Sequence, residues 1–354
     1  MGSEGAIMNF TANDEQRMIA DSFARVFADA GYPSTSGNNW SALTELGLTE
    51  ATFPEPRGFG ASVSDMVHAL IECGRAAAPE PVIGAGVLPG IALTGAGSAA
   101  PEMPEGTVCL ADGEGLTLQD GALSGTLRVV PGADAAEVLL ICLADDHLAV
   151  VSMAEVKRDK YRLVDGRGAA DLELASVKLA DGAMGGVVPG MAEWLRDVAA
   201  VAFAADALGA LLALREMTQD YLKQRKQFGR PISSFQALQH AMADIYHDTE
   251  HFLSLTHFAA QTCEGTDVAL RKRAVSSLKR FLGGRIRRAA ASAIQLHGGI
   301  GMTEEYPLGR FVKRAVVADM LNGSADAHGA RLAKLIAEET RAGLQEAPEQ
   351  EKVA

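Results

Sequence analysis

The residues Arg225-Lys226-Gln227-Phe228-Gly229-Arg230-Pro231-Ile232-Ser233-Ser234-Phe235-Gln236 impose a turn that the rest of the chain has to accommodate. An Ala-rich helical pattern runs up to them, from about Met191 to Lys226. Gly229 takes the left-handed C-cap conformation at no steric cost, and Pro231 cannot continue a helix. Ser233 or Ser234 is then suited to cap a second helix, whose apolar positions Phe235, Leu238, Met242 and Ile245 fall at helical spacing. Two helices therefore meet at a corner that carries Arg225, Gln227, Arg230 and Gln236. A fixed guanidinium beside side-chain amides suits a phosphate or pyrophosphate.

Upstream, Thr11-Ala12-Asn13-Asp14 resembles a capping box, with Met18, Ile19, Phe23, Val26 and Phe27 as the apolar stripe behind it. A short helix around Trp40 to Leu46 is expected to stop at Gly47, and Ser62 with Asp65 starts another that turns Met66, Ala69, Leu70 and Cys73 inward. From Ala77 to Pro104 the Ala, Gly and Pro content allows only short helical pieces. The period then changes. Thr107 to Leu110, Gly121 to Val130, Ala136 to Leu143, His147 to Ser152 and Asp171 to Leu179 read as strands of a small sandwich or barrel. From Met191 onward the expectation is helix throughout. The domain expectation is 8–104 helical, 105–185 β, 186–345 a helical bundle and 346–354 a frayed tail, with Met1 to Ile7 set aside from fold reasoning.

The composition narrows the partners. A net charge of −13 and a pI near 5.1 argue against nucleic acid. No apolar run reaches the length needed to span a bilayer, and no basic-then-apolar leader opens the chain, so a cytoplasmic location without a membrane partner is the expectation. Cys73, Cys109, Cys142 and Cys263 are widely spaced and read as buried thiols. His240, Asp244, His247 and His251 share one helical face, but no facing ligand motif accompanies them, so no metal is expected.

The corner resembles the R-x-x-F-G-x-P-I-x-x-F-Q segment of the acyl-CoA dehydrogenase family. A second family block, Gln295-Leu296-His297-Gly298-Gly299-Ile300-Gly301-Met302-Thr303-Glu304-Glu305-Tyr306-Pro307, follows downstream. Phe53-Pro54-Glu55-Pro56-Arg57-Gly58-Phe59-Gly60 resembles a family connection, and Leu123-Ser124-Gly125 through Gly132-Ala133-Asp134 resembles a β-domain motif. The resemblance implies a mainly α fold with a small central β domain and a C-terminal four-helix bundle. It implies FAD as cofactor and an acyl-CoA thioester as substrate. It also implies that Arg225, Gln227, Phe228, Gln236, Gln295, Gly298, Gly299 and Ser324 contact FAD, the corner serving a flavin held by a neighbouring subunit. A plainer account of Arg225 is that it caps the end of its helix.

Two family features are missing. The flavin-holding T-E-P-x-A-G-S-D loop has no counterpart, since Ala99 to Gly106 moves straight into a strand. The family's E-G-T, whose Glu is the base, is matched here by Asn322-Gly323-Ser324. An amide has no basic lone pair available near neutral pH, so Asn322 cannot take the α proton. The alternative base position in the family falls near Ala199, again not acidic. Glu193, Asp197, Asp319 and Asp326 are nearby but out of register. The chain thus resembles the base-lacking subunit of heteromeric bacterial acyl-CoA dehydrogenases, several of which act on steroid-derived thioesters. The implied partner is a second, base-carrying subunit in an α2β2 tetramer. A homomeric enzyme with a relocated base and a flavin-free protein on the same fold remain alternatives. The basic run Arg271, Lys272, Arg273, Lys279, Arg280, Arg285, Arg287 and Arg288 either neutralises acidic neighbours or attracts phosphates.

Overall fold

The computed structural model describes residues 12–29 and 39–346. Thr11, Met1 to Ile7 and the tail beyond 346 lie outside that range. Helix α1 (Asp14–Asp29) starts at a reciprocal cap, in which Asn13 Oδ1 accepts from the Gln16 amide (2.8 Å) and Gln16 Oε1 from the Asn13 amide (3.0 Å). Ile19, Phe23 and Phe27 are buried, but Met18 is 64% exposed and drops out of the expected stripe. Helix α2 (Trp40–Glu45) ends before Gly47, whose φ is +71°. Helix α3 (Val63–Arg75) carries the full Ser62–Asp65 capping box and buries Met66, Ala69, Leu70 and Cys73. A π-turn (Val82–Val87) leads into α4 (Leu88–Ala96).

Eight strands follow: β1 (Val108–Asp112), β2 (Thr117–Gln119), β3 (Ala122–Pro131), β4 (Val138–Cys142), β5 (His147–Ser152), β6 (Lys157–Arg162), β7 (Gly168–Lys178) and β8 (Met184–Val187). They form two four-stranded sheets ordered β1-β4-β5-β8 and β2-β3-β7-β6, with only the β1–β4 pair parallel. Cys109, Leu139 and Ala149 of the first sheet meet Leu123, Leu127 and Leu172 of the second in one core. The other face of the first sheet presents Val108, Leu140 and Val150 to the helices. Burial on both faces explains the unbroken apolar run of β4. The sequence reading missed β2, β6 and β8. Lys157–Arg162 is charged and mostly exposed, and Met184–Val187 is half glycine, so neither shows an apolar alternation.

The molecule is threaded by α5 (Met191–Gln224), apolar almost all round and therefore central. It contains a window with a mean hydropathy of 1.9, long and apolar enough to cross a bilayer, contrary to the sequence reading. That window is wholly buried within the protein. Gly74 of α3 and Gly209 of α5 face each other's backbone. A Cβ on Gly74 would strike the Asp206 carbonyl oxygen, and one on Gly209 the Ile71 carbonyl oxygen, so the two helices cross at backbone contact.

Beyond α5 come a two-residue hairpin, α6 (Gln236–Glu264), α7 (Val268–Phe281), a second π-turn (Leu282–Ile286), α8 (Arg287–His297), α9 (Leu308–Met320) and α10 (Ala325–Glu346). The four cysteines are free and buried. Among the described residues no group of three His, Cys, Asp or Glu side chains is arranged to hold a metal. Most of the basic run is answered internally, Arg280, Arg285 and Arg287 loosely, by Asp326, Asp248 and Asp319 at 3.8–3.9 Å, and the others closely. Arg271 pairs with Asp197 (2.9 Å), Lys272 with Glu193 (2.8 Å) and Arg273 with Glu339 (2.5 Å), and Lys279 is buried.

Candidate functional site

The predicted site residues fall into two groups at opposite ends of α5. At its C-terminal end the helix stops at Gln224, two residues short of the expected Lys226, and Arg225 turns into extended backbone. The amide of Arg225 donates to Tyr221 O (2.9 Å) and its carbonyl accepts from Ile232 N (2.8 Å), which fixes the residue from both sides. Strands β9 (Lys226–Gln227) and β10 (Arg230–Pro231) pair around Phe228 and Gly229, both with positive φ (+53° and +79°). That is a type I′ hairpin turn. Gly229 therefore serves the hairpin and does not cap α5, and the stretch after Met191 is not helical throughout. Neither serine caps α6. Its N-cap is Phe235 without a side-chain bond, and Ser234 Oγ donates back to Pro231 O (2.8 Å).

The hairpin carries Phe228 90% exposed at its tip, with Arg225, Gln227 and Gln236 exposed around it. The guanidinium of Arg225 has no carboxylate partner among the described residues, whereas Arg230 lies over the Phe235 ring at 4.2 Å. The second block reaches the same end of the molecule. His297 stacks on Tyr221 (4.6 Å between centroids), one turn before Arg225. Its Nδ1 donates to Ala293 O (2.8 Å) and its Nε2 accepts from the Tyr306 hydroxyl (3.2 Å), while burial holds its pKa below the ordinary histidine value. Gln295, Gly298 and Gly299 are exposed beside it. A Cβ added at Gly298 or Gly299 would meet nothing within 4 Å, so a ligand has free approach to the backbone.

The other end of α5 forms one wall of a cleft of about 400 Å³ between the bundle and the β sheets. Asn322 and Ala199, the two expected positions of a base, both line it. Neither is acidic. Asp197 turns away to Arg271 and Arg331, and Glu193 to Lys272. Asp319 Oδ1 accepts from Ala325 N (3.0 Å), and Asp326 stands outside near Arg280 at 3.8 Å. The acids that do line the cleft are Asp112, at the end of β1, and Glu114, on the short connection to β2, and both are bound by Arg196 (2.5 and 3.3 Å). Sequence reasoning had no means of finding them, because Asp112 and Arg196 are 84 positions apart.

The Asn322 loop is held firmly. Lys279 Nζ donates to the carbonyl oxygens of Ala318 (2.6 Å), Asp319 (3.0 Å) and Leu321 (2.7 Å), closing the end of α9. Burial lowers the Lys279 pKa to about 8, with Asp319 opposing the shift. His328 Nε2 donates to Asn322 O (2.9 Å), and Ser324 Oγ accepts from Ala327 N (3.3 Å) at the exposed start of α10. Asn322 itself has φ +56°, a left-handed backbone that asparagine tolerates better than most residues, so its amide also suits the turn.

Ala199 and Arg225 are separated by nearly the whole of α5, and at about 1.5 Å per residue that is about 39 Å. No extended dinucleotide spans that distance. The corner and the cleft of one chain therefore do not hold the two ends of one cofactor.

Residues 191–337, the bundle that carries both groups, match the acyl-CoA dehydrogenase C-terminal domain. The chain is 30% identical over 280 residues to acyl-CoA dehydrogenase IpdE2 of Mycolicibacterium smegmatis, covering 78% of this chain and 81% of that one. A variant of the Tcur3481–Tcur3483 steroid ACAD superposes with a TM-score of 0.79 at 26% identity, over 93% of this chain and 99% of that one. The ChsE4–ChsE5 complex of Mycobacterium tuberculosis gives a TM-score of 0.83 at 23% identity, over 94% and 99%, a likeness of fold. With the helical, β and bundle layers in the family's order and relatives matched over most of their length, the chain belongs to the acyl-CoA dehydrogenase family.

Proposed function

We propose that this chain is the non-catalytic subunit of an FAD-dependent acyl-CoA dehydrogenase, completing the flavin site of a base-carrying partner. The observation that carries the reading is the division along α5. The cleft end has Asn322 and Ala199 where a carboxylate is needed, while the corner end presents Arg225, Gln227, Phe228, Gln236 and Gln295 to the outside. An exposed guanidinium with no carboxylate opposite it, amides on either side and open glycine backbone fit an anionic pyrophosphate. The chain's own cleft fits FAD poorly. The segment from Ala99 to Gly106 runs into β1 without the family's loop of backbone donors, and the carboxylates of Asp112 and Glu114 stand at the opening.

When bound, FAD supplies the hydride acceptor for α,β-desaturation of the thioester. This chain's part is to hold the cofactor's phosphates through Arg225 and Gln295 and to shield them from water with Phe228. Ser324, at the cleft end, falls outside that role on this chain. Support for a second subunit comes from the Tcur3481–Tcur3483 and ChsE4–ChsE5 relatives, each made of two named chains. Similarity to a steroid ACAD favours a steroid-derived acyl group in the partner's pocket, and an α2β2 assembly is the simplest arrangement in which each corner reaches one flavin. A relocated base is disfavoured because Asp112 and Glu114 already answer Arg196.

The test is a visible absorbance spectrum of the chain made alone and then together with a base-carrying acyl-CoA dehydrogenase subunit encoded beside it. Flavin absorbance and turnover only in the joint preparation are expected. Stoichiometric flavin and turnover by the isolated chain would overturn the reading.

A further inference from the structure

One side chain joins the two blocks at the corner end of α5. His297 closes α8 and is only 2% exposed. Its ring stacks on Tyr221 of α5, with 28° between the planes, and meets the ring of Tyr306, just before α9, at 5.1 Å. The groups around it fix its chemistry. A backbone carbonyl can only accept, so the contact of Nδ1 with Ala293 O (2.8 Å) places the proton on Nδ1. Nε2 is then left with a lone pair, and the Tyr306 hydroxyl donates to it (3.2 Å). The glycine turn (Gly298–Met302) closes over the same side chain, since a Cβ on Gly301 would stand 2.9 Å from His297 Cβ. The stack leads to the hairpin. Tyr221, whose ring lies on His297, also supplies the carbonyl oxygen that accepts from the Arg225 amide (2.9 Å).

We propose that His297 is a positioning residue, holding the Arg225 hairpin and the glycine turn at one fixed separation so that a single pyrophosphate meets both. The inference rests on the reading that this corner completes a partner's flavin site, and it names the group that sets the spacing within that site. Arg225 and Gln227 come from one segment, and Gln295 and the open glycines from another, far along the chain. Segments so distant serve one ligand only if their relative place is fixed beforehand. Their exposed side chains do not fix it. Stacking alone lets two rings slide, whereas the hydrogen bond from Tyr306 is directional and sets the rotation of the imidazole. Fixing the spacing in advance lowers the ordering cost of binding. Burial, opposed by the Ala293 and Met217 carbonyls, holds the His297 pKa down, so the ring contributes position and no charge.

The assembled enzyme, this chain produced with a base-carrying subunit, is diluted and the release of FAD is followed by its fluorescence. His297→Phe keeps an aromatic ring against Tyr221 but cannot accept from Tyr306, and should loosen FAD about three- to tenfold. Tyr306→Phe, which removes a single oxygen, should do the same, and the double variant no more than either. His297→Gln, with an amide oxygen near the place of Nε2, should return most of the loss. The effect should also run through Arg225, so that in an Arg225→Ala background His297→Phe changes FAD release less than about twofold. If His297→Phe lowers the unfolding midpoint, Tyr306→Phe replaces it in every comparison. In the isolated chain, nitrogen NMR shifts of the imidazole should report the Nδ1–H tautomer. An Nε2–H tautomer, or FAD release untouched by both Phe variants, would overturn the proposal. So would effects that add fully to that of Arg225→Ala, which is what a general loosening of the fold produces. FAD release unaltered by Arg225→Ala itself would instead defeat the functional reading, and the positioning role with it.

Discussion

Midway along α5 an arginine from α9 is buried and matched; at the end of α5 Arg225 stands in solvent with no carboxylate opposite it among the described residues. At the middle, Arg314 grips Asp206 through Nη2 (2.6 Å) and Nε (2.8 Å) and donates to Ala78 O (2.7 Å). Arg167 adds a longer contact to Asp206 (3.4 Å) and pairs with Asp165. These groups tie the N-terminal helices, the β sheets and the bundle to one point. Arg225 does nothing comparable for the fold. The difference separates charge that organises the chain from charge left available to something outside it, a distinction that arginine content alone does not make.

The largest effect that sharpens this contrast should come from Asp206→Asn. The buried guanidinium of Arg314 would lose its counter-charge, while Arg167 would keep Asp165, at about 3–5 kcal/mol of stability. Urea unfolding measures it, and a loss below about 1 kcal/mol would erase the distinction. A second test concerns charge that the interior refuses. His68 and His257 lie 4.8 Å apart between α3 and α6, and burial first, then His68, lowers the His257 pKa to about 4. Its unfolded value is higher, so the stability is complete above about pH 6.5 and is lost as pH falls toward 4, by up to about 3 kcal/mol. The acid-dependent loss should shrink in His257→Gln, and an unchanged pH profile would show that the pair is not responsible.

Arg225→Ala should do the reverse of Asp206→Asn. The unfolding midpoint stays, and flavin affinity of the assembled enzyme falls about ten- to a hundredfold, the equivalent of roughly 1.5–3 kcal/mol. Unchanged flavin retention would place Arg225 with the structural arginines after all. The smallest effect is expected from Asn322→Glu, which trades a residue at ease in left-handed backbone for one that is not, at about 1 kcal/mol. In the isolated chain this change should give no flavin reduction by any acyl-CoA ester, since base and acceptor must face one substrate together. Bleaching in a single-turnover assay would favour the homomeric alternative.

Much of the scaffold was legible because its signals are local. The Ser62–Asp65 box, the stop at Gly47 and the apolar runs of β3, β4 and β5 each lie within a few residues of what they specify. The corner was legible as a place but not as a shape. Lys226–Gln227 and Arg230–Pro231 are too short and polar to show a strand period, so in sequence the hairpin looks like a helix cap. The exposed amides and Arg225 were found through motif and spacing. Arg196 and Asp112 were not, because only the docking of α5 against β1 brings them together, and that docking depends on apolar faces distant in the chain.

The π-turn at Leu282–Ile286 has a consequence for how such subunits diverge. A π-turn holds one residue more than the α-helical path it interrupts, and each residue rotates a helix by about 100°. The turn absorbs that rotation locally, so deleting a single residue there would leave a continuous α-helix on the same path, with the downstream side chains still pointing as they do. Gln295 would keep its direction, and the two glycines at Gly283 and Gly284 ease the bulge that holds the extra residue. A one-residue change of length through this segment is thus one the corner can survive, whereas the same change elsewhere between α7 and α8 would turn Gln295 by about 100°.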